Sequence, residues 1–446
     1  MSDLGEKIRG LASNGLFAAI VVGMLIRLLL VPFSLEYDTN FWTIVIRNIE
    51  SGNGLYLMEG YYYTPVWGYI LGFVAAMQNA LLDIGDLSTV CYDLVPYIMV
   101  DHYAYTDMAV SIVFMLILKL ILWICDLVLS VTVYHLVKDR TGDEKKAIIA
   151  FLLIFICPHV IGSSSIVVMP DTISAMFTMV TILLLKNEKF FLAGICYSLA
   201  VWIKFFPIAI ILVLLCYIYV GAQGDGKEAA KRIAKAIIGF MVTSVIIFLP
   251  QMMEGTIVRC LAFLIDRINE IINNGILAIL CGIILASFII FVVIHVARHM
   301  LKTKGDIDDK MMEYSLLLLG ICMLSFTNLQ YIVTLIPFLV YCLMIVDRYY
   351  KYIWIILAVA GFILTFTLNT NAVMLNSIVA YTGLISTDTA MWLFDLLNNE
   401  ILFGMSIVDM FCSLANNVQK IILFCIFPIF VIRRLIANNK IPRWHQ

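Results

Sequence analysis

Apolar runs of bilayer length recur along the whole chain, and this feature limits the fold more than any other. A helix needs roughly 20 apolar residues to cross about 30 Å of hydrocarbon. The mean hydropathy is +1.00, with 63% hydrophobic and 13% charged residues, and no soluble domain of useful size fits between the runs. The sequence therefore predicts one all-α polytopic membrane domain over residues 1–446. Its twelve predicted spans lie near residues 15–34, 108–137, 146–160, 171–185, 190–203, 207–221, 236–250, 275–295, 311–325, 329–346, 352–368 and 418–432.

The distribution of lysine and arginine predicts the orientation of these spans. Placing both termini in the cytoplasm puts most of the 29 basic residues on the cytoplasmic side, as the positive-inside rule requires. The run 15–33 contains a charge and a proline and has no small-residue cleavage site, so we interpret it as a retained first span. The exceptions, in spans or on the far side, are Arg27, Arg47, Lys119, Lys204, Arg259, Arg267 and Lys420.

Two long loops then fall on the outer side, over residues 35–107 and 369–417. Residues 65–82 could cross alone, but that crossing would invert every later loop and destroy the charge bias. We expect them, and an amphipathic helix over 41–50, to be interfacial helices of the first loop. Net charge is −2, with no basic patch and no zinc-binding spacing, which argues against a nucleic-acid partner.

Acids and tyrosines stand in the first outer loop. Glu36 and Asp38 are two residues apart where the chain leaves the first span, and such a pair can deprotonate a hydroxyl or hold a cation. Solvated acids at the interface are the structural alternative. Tyr62 and Tyr63 precede Pro65, where taken alone a structural role in an aromatic belt is the more common one.

A lysine against the positive-inside trend is the most informative charge. Lys204 joins two spans on the outer side, and a cation in an apolar setting is costly unless an anion meets it. A lipid phosphate would be such an anion, and an internal ion pair is the competing account. Asp171 starts a span on the same side, as a capping acid or a site residue. Gln330 and Tyr331 form another outer turn that could bind hydroxyls or cap a helix.

Lys119 and Asp126 lie on one face of the second predicted span, about two turns apart. For both we favour a structural role in helix packing. The eleven cysteines are scattered along apolar runs without a CxxC pair, and we interpret them as small core residues.

Taken in order, these pieces resemble the GT-C membrane glycosyltransferases, in particular polyprenol-phosphate-mannose-dependent enzymes and the catalytic subunit of GPI mannosyltransferase I. The resemblance rests on Glu36-Tyr37-Asp38, Tyr63-Thr64-Pro65, Pro170-Asp171 and Lys204-Phe205-Phe206-Pro207. It covers roughly residues 15–220. In one departure from the family pattern, the first acid of the motif is glutamate. We therefore assign the role of general base to Asp38, and the role of Glu36 stays open.

The resemblance implies transfer of a hexose, usually mannose, from a polyprenyl or dolichyl phosphate to an acceptor hydroxyl on the extracytoplasmic or lumenal face. The acceptor would be a glycolipid, glycan or protein, and a small accessory subunit is compatible with the resemblance. Asp38 and Glu36 would be catalytic and Lys204 would bind the donor phosphate. No metal ligand is assigned, although the two acids leave a divalent cation open. The substrate-binding residues would be Asp171, Tyr62, Tyr63, Gln330 and Tyr331.

Two other functions remain open at this point. A transporter or lipid flippase also has about twelve spans, but it commonly shows two related halves, and we find no convincing internal repeat. A polysaccharide ligase usually has a large late loop with basic residues. Residues 369–417 form a long loop but contain no lysine or arginine, which argues against this function. The membrane would be the plasma membrane of a bacterium or the endoplasmic reticulum of a eukaryote.

Overall fold

The structure is a computed structural model of the 446-residue chain. It describes residues 15–33, 36–56, 61–82, 88–91, 108–110, 112–262, 276–302, 306–322, 330–367, 382–398, 401–402 and 404–422. Nearly all of these residues are helical, and the strands form two short antiparallel hairpins.

The first half of the described chain runs from residue 15 to residue 221 and includes a closely packed helical bundle. Its elements are α1 (Gly15–Leu29), α2 (Glu36–Glu50), α3 (Pro65–Leu82), β1 (Ser88–Cys91), β2 (Met108–Val110), α4 (Ile112–Thr141), α5 (Glu144–Phe155), α6 (Pro158–Ile161) with a π-helix (Gly162–Val167), α7 (Asp171–Lys186), α8 (Phe190–Ile203), a 3-10 turn (Phe206–Ile210) and α9 (Ile211–Gly221).

The second half contains longer outer helices and a late amphipathic segment. Its elements are α10 (Gly226–Met253), α11 (Ile257–Cys260), α12 (Ile276–Lys302), α13 (Ile307–Cys322), a 3-10 turn (Tyr331–Thr334), α14 (Ile336–Ile345), α15 (Tyr350–Thr367), α16 (Thr387–Asn398), β3 (Ile401–Leu402), β4 (Met405–Ser406) and α17 (Ile407–Ile421).

Most predicted spans overlap a helix, but α10 begins ten residues before the span predicted at 236–250, and α12 ends seven residues after the span predicted at 275–295. The span predicted at 146–160 is broken, because Ile156 and Cys157 separate α5 from α6, which begins at Pro158. Of the span predicted at 418–432, only residues 418–422 are described, and they continue α17, which begins at Ile407 because Ser406 caps it. Residues 423–446 lie outside the described residues.

Within the described part of the chain, three helical stretches are long and apolar enough to cross a bilayer. They are Val113–Thr141, Gly226–Met253 and Gly282–Lys302, and a fourth span results if the helices Glu144–Phe155 and Pro158–Val167, bent by 44°, count as one. Several other apolar helices are shorter. The structure is therefore that of a helical protein with membrane character, and the number twelve stays a prediction.

The outer surface of the bundle is apolar where α10 and α12 face away from it. Ile246 is 65% exposed on α10, and Phe291 is 63% exposed on α12. Proteins in water rarely expose long apolar faces of this kind. Hydrocarbon is the solvent that suits them.

Two glycines bring α8 and α10 into direct backbone contact. A methyl group at Gly194 would overlap the carbonyl of Ala236, and one at Gly239 would overlap the carbonyl of Phe191. Small residues that permit close approach of two backbones are typical of helix pairs in membranes.

The two ends of the bundle differ in chemistry. At one end, which we call the basic end, Arg140 binds Asp306 and Asp309, and Lys186 binds Asp308. At the other end, which we call the Lys204 end, α7 starts at Asp171, and α8 ends at Ile203, just before Lys204. The loops with the ion pairs and the loops with Asp171 and Lys204 therefore lie at opposite ends of the bundle, as the sequence predicts. Which end faces the cytoplasm stays a prediction.

Candidate functional site

Local sequence places Lys204 at a sharp change of direction. The helix α8 ends at Ile203, Lys204 has an extended backbone, and Pro207 lies in the first turn of the following 3-10 segment. Proline lacks an amide hydrogen and fixes its own φ, so it favours the start of a new helical turn over continuation of α8. Lys204 is thereby left at the junction between two helices, with its side chain 13% exposed.

A buried carboxylate faces this lysine. Asp171 is the first residue of α7 and is fully buried, and its Oδ2 lies 3.5 Å from the Nζ of Lys204. Neither carboxylate oxygen accepts a hydrogen bond from another described residue. Buried carboxylates normally have such partners. Among the described residues, the pair is therefore joined across 3.5 Å without a further hydrogen bond to the carboxylate.

Two aromatic rings enclose the ammonium group. Its nitrogen lies 4.7 Å from the ring centre of Tyr63 and 5.1 Å from that of Tyr331. The ring of Phe206 packs edge-on against Tyr331, with 5.1 Å between the centres. Ring faces attract a cation within about 6 Å. They stabilise the ammonium group and, as flat walls, leave its remaining hydrogens for an anion.

The segment between the π-helix and α7 is held by hydrogen bonds from Trp42 of α2 and from Tyr63. Val168 has the left-handed backbone at φ 56°, which is unusual for a β-branched residue. Its carbonyl accepts a hydrogen bond from Trp42 Nε1 at 3.2 Å, and the hydroxyl of Tyr63 donates to Met169 Sδ at 3.3 Å. Strained backbone of this kind is often found at functional sites. Here it sets the direction in which α7 begins.

The helix α2 carries both predicted catalytic acids, Glu36 and Asp38. Its backbone is described from Glu36 onward, whereas the side chains of residues 34–38 lie outside the described residues. Farther along α2, the ring of Trp42 lies 5.2 Å from that of Tyr63, which joins this helix to the Lys204 end.

The remaining predicted site residues divide between the interior and the surface. Gln330 is 8% exposed and immediately precedes Tyr331. Tyr62, in contrast, is 61% exposed, because it points away from its neighbours Tyr61 and Tyr63. The structure thus brings Asp171, Lys204, Tyr63 and Tyr331 together, and it leaves Tyr62 on the surface.

A second buried ion pair was not predicted from the sequence. Arg27 of α1 donates from Nε and Nη2 to Oδ2 of Asp126 at 3.1 and 2.7 Å, and both side chains are fully buried. Ser164 donates to the same oxygen at 2.7 Å, and Thr172 donates to Oδ1 at 2.5 Å. The signal that would have found the pair is one arginine and one aspartate in neighbouring spans, since charges inside membranes pair with one another.

Lys119 has a separate role from Asp126, although the two share one face of α4. Its Nζ donates to the carbonyls of Leu30, Val31 and Phe33 at 3.2, 2.8 and 3.0 Å. Cations at a helix C-terminus satisfy carbonyls that have no partner within the helix. The structural role expected for both residues agrees with these contacts, but each acts through its own partners.

The charge state of Lys204 follows from its surroundings. Burial alone would lower the pKa of this lysine, but the facing Asp171 carboxylate raises the pKa above its usual range. A lysine with a raised pKa stays protonated through the physiological range. The facing carboxylate therefore favours the charged form of Lys204.

Among the residues that the structure describes, no group of three or more histidine, cysteine, aspartate or glutamate side chains could hold a metal ion. The side chains of Glu36 and Asp38 lie outside that search. Comparison of the chain with protein-family models, with curated proteins and with solved structures finds no match.

Proposed function

We propose that the chain is a GT-C-type membrane glycosyltransferase that moves a hexose, with mannose as the first candidate, from a polyprenyl or dolichyl phosphate to an acceptor hydroxyl. The observation that supports it most is the loose pair of Asp171 and Lys204, a buried cation walled by Tyr63 and Tyr331 whose carboxylate partner accepts no hydrogen bond from another described residue.

The chemistry needs little from the protein beyond charge and orientation. A lipid phosphate is already a leaving group, so transfer requires a positioned acceptor, a group that accepts its proton, and stabilisation of the departing phosphate. Lys204 would stabilise the phosphate, and its effect would grow as the sugar leaves and the phosphate gains charge. Asp171 would hold the lysine in place, and Tyr63 and Tyr331 would exclude water from it.

The general base in this proposal is Asp38, with Glu36 beside it. Both belong to the start of α2, whose later residue Trp42 packs against Tyr63. The base and the phosphate partner would therefore come from two different parts of the chain and meet at one end of the bundle. That end would face the extracytoplasmic or lumenal side, with both termini in the cytoplasm.

The assay that tests the proposal uses purified protein in proteoliposomes with radiolabelled polyprenyl-phosphate-mannose. Wild-type protein should release lipid phosphate and form a glycoside or free sugar. Lys204→Met should lower the rate about 10²- to 10³-fold, the usual cost of removing one charge-stabilising donor. Lys231→Met is the matched control, because Lys231 is an exposed lysine on α10 at the basic end.

Equal rates for wild-type and Lys204→Met protein would remove Lys204 from the reaction. No release of lipid phosphate from any of a panel of lipid-phosphate sugars, with several acceptors, would count against a glycosyltransferase altogether.

A multi-pass transporter or lipid flippase is the second candidate, and one observation favours it. The bent pair formed by Glu144–Phe155 and Pro158–Val167 is a discontinuous span, and such spans line the substrate site in many transporters. Counterflow in the same proteoliposomes separates the two functions. Exchange of substrate across the bilayer without any glycosidic product would support the transporter.

A further inference from the structure

An apolar cavity of about 220 Å³ lies among α7, α8, α9 and α10. It opens toward the outer surface of the bundle, where Ile211 and Ile237 are 37% and 50% exposed. Its inner wall includes Tyr197 and Leu214, which are buried. The cavity belongs to none of the contacts that form the Lys204 end.

The described residues that line the cavity have no side-chain hydroxyl left to hydrogen-bond a water molecule. The two hydroxyl groups of the lining are already used, because Thr181 donates to the carbonyl of Phe177 at 2.8 Å and Tyr197 donates to the carbonyl of Pro207 at 2.7 Å. A buried water usually needs two to four polar partners. A hydrocarbon chain is therefore the occupant that suits this cavity.

The cavity begins about two helical turns from Lys204. Tyr197 precedes Lys204 by seven residues along α8, which corresponds to roughly 10 Å at the helical rise. The hydroxyl of Tyr197 is bound to Pro207, in the turn that follows Lys204. Along α9 the lining extends from Ile211 to Ile218, again roughly 10 Å, toward the basic end.

We infer that this cavity binds the hydrocarbon tail of the lipid-phosphate donor, with its phosphate at Lys204. The inference rests on the proposed function. A slender anionic lipid matches both features, because Lys204 is a nearly buried cation between two rings and the cavity beyond it is apolar throughout. The tail would run from the turn at Pro207 along Tyr197 and past Leu215 toward Ile218.

The test compares donors with short and long tails in a variant whose cavity is filled. Leu215 lines the cavity and is half-buried, so Leu215→Trp places a large ring in it. Leu212→Trp is the matched control, because Leu212 lies on the same helix but is 42% exposed and does not line the cavity. Leu215→Trp should lower kcat/KM for the long-tailed donor at least tenfold and leave the short-tailed donor within twofold.

The inference is overturned if Leu215→Trp, like Leu212→Trp, changes kcat/KM by the same factor for the long-tailed and the short-tailed donor. Photolabelling supplies a readout that does not depend on transfer. A long-tailed lipid phosphate without sugar, carrying a photoreactive group near the tail end, should label α8–α10 peptides around Tyr197 and Leu215. Excess polyprenyl phosphate should suppress the labelling.

Suppression by phosphatidylcholine as well as by polyprenyl phosphate would assign the cavity to ordinary membrane lipid and overturn the inference. Labelling that polyprenyl phosphate alone suppresses, in protein that transfers no sugar, would support the binding site and refute the glycosyltransferase. Transfer without any labelling of these helices would refute the tail site and leave the transferase intact.

Discussion

Two buried pairs of opposite charge lie close together in this bundle, and they are built in opposite ways. In the pair of Arg27 and Asp126 the carboxylate accepts hydrogen bonds from arginine, serine and threonine. In the pair of Asp171 and Lys204 the carboxylate accepts none from another described residue, and the nitrogen stands 3.5 Å away. A saturated network has no capacity left for a ligand, whereas an open one can accept a ligand.

The two pairs are joined through adjacent residues at the start of α7. Asp171 belongs to the open pair, and the next residue, Thr172, donates to Asp126 in the saturated pair. The saturated pair also holds the π-helix through Ser164 and the carbonyl of Phe155 through Arg27. The pair of Arg27 and Asp126 therefore helps to fix the start of α7, from which Asp171 faces Lys204.

The largest effect is expected where the open pair meets α2. Asp38→Asn removes the proposed base, and loss of general-base catalysis typically costs about 10²- to 10⁴-fold in rate. The measurement is transfer from labelled polyprenyl-phosphate-mannose, with gel-filtration behaviour and thermal unfolding as checks on folding. Normal transfer by a folded Asp38→Asn protein would remove the assignment of the base.

The next effect concerns the saturated pair, and it is an effect on stability. Asp126→Leu leaves the Arg27 guanidinium buried without its partner, and breaking such a pair should lower the free energy of unfolding by about 3–5 kcal/mol. The double variant Arg27→Met/Asp126→Leu removes both charges and should recover most of the loss. Thermal unfolding in detergent measures both. Equal losses in the single and double variants would mean that the pair acts through packing alone.

A smaller effect is expected from the aromatic wall of the open pair. Tyr331→Leu removes one ring from Lys204, and a desolvated cation over a ring gains about 0.5–2 kcal/mol. Affinity for polyprenyl phosphate should fall by up to roughly thirtyfold, in line with that energy. Tyr331→Phe keeps the ring and should stay near wild type. The reverse order of the two variants would show that the hydroxyl, and not the ring, matters.

The smallest effect is expected at the basic end, where the ion pairs are open to solvent. Arg140 is 36% exposed and binds Asp306 and Asp309. Exposed pairs contribute about 0–1 kcal/mol and are screened by salt. Arg140→Met should therefore change unfolding by no more than this amount, less at high ionic strength, and leave transfer unchanged. A loss comparable to that of Asp126→Leu would contradict the distinction between buried and exposed pairs.

Periodicity and charge were enough to predict the helices and the residues that share one end. Most predicted spans overlap a helix because apolar length and flanking charge are local properties of the sequence. The alternation of loops also placed Asp171 and Lys204 on one side, where the structure brings them within contact distance. The role of Asp38 and the count of twelve spans stay predictions.

Partners that depend on helix packing could not be predicted from the same patterns. Asp126 and Lys119 share a face of α4, yet each binds a different part of α1 or its end. The left-handed Val168 also depends on three-dimensional context. The break before Pro158, in contrast, has a local signal, because proline starts a helix more readily than it continues one. Tyr62 and Tyr63 are equivalent as letters in a sequence, but only the structure shows that one is at the surface and the other beside Lys204.

The most direct test of the account is an experimental structure of the protein with bound polyprenyl phosphate. We predict a phosphate oxygen at about 2.7–3.0 Å from Nζ of Lys204, the usual length of a charge-assisted hydrogen bond, between the rings of Tyr63 and Tyr331. The Arg27 and Asp126 pair should be unchanged. A phosphate bound elsewhere, with Lys204 and Asp171 closed into a short direct ion pair, would contradict it.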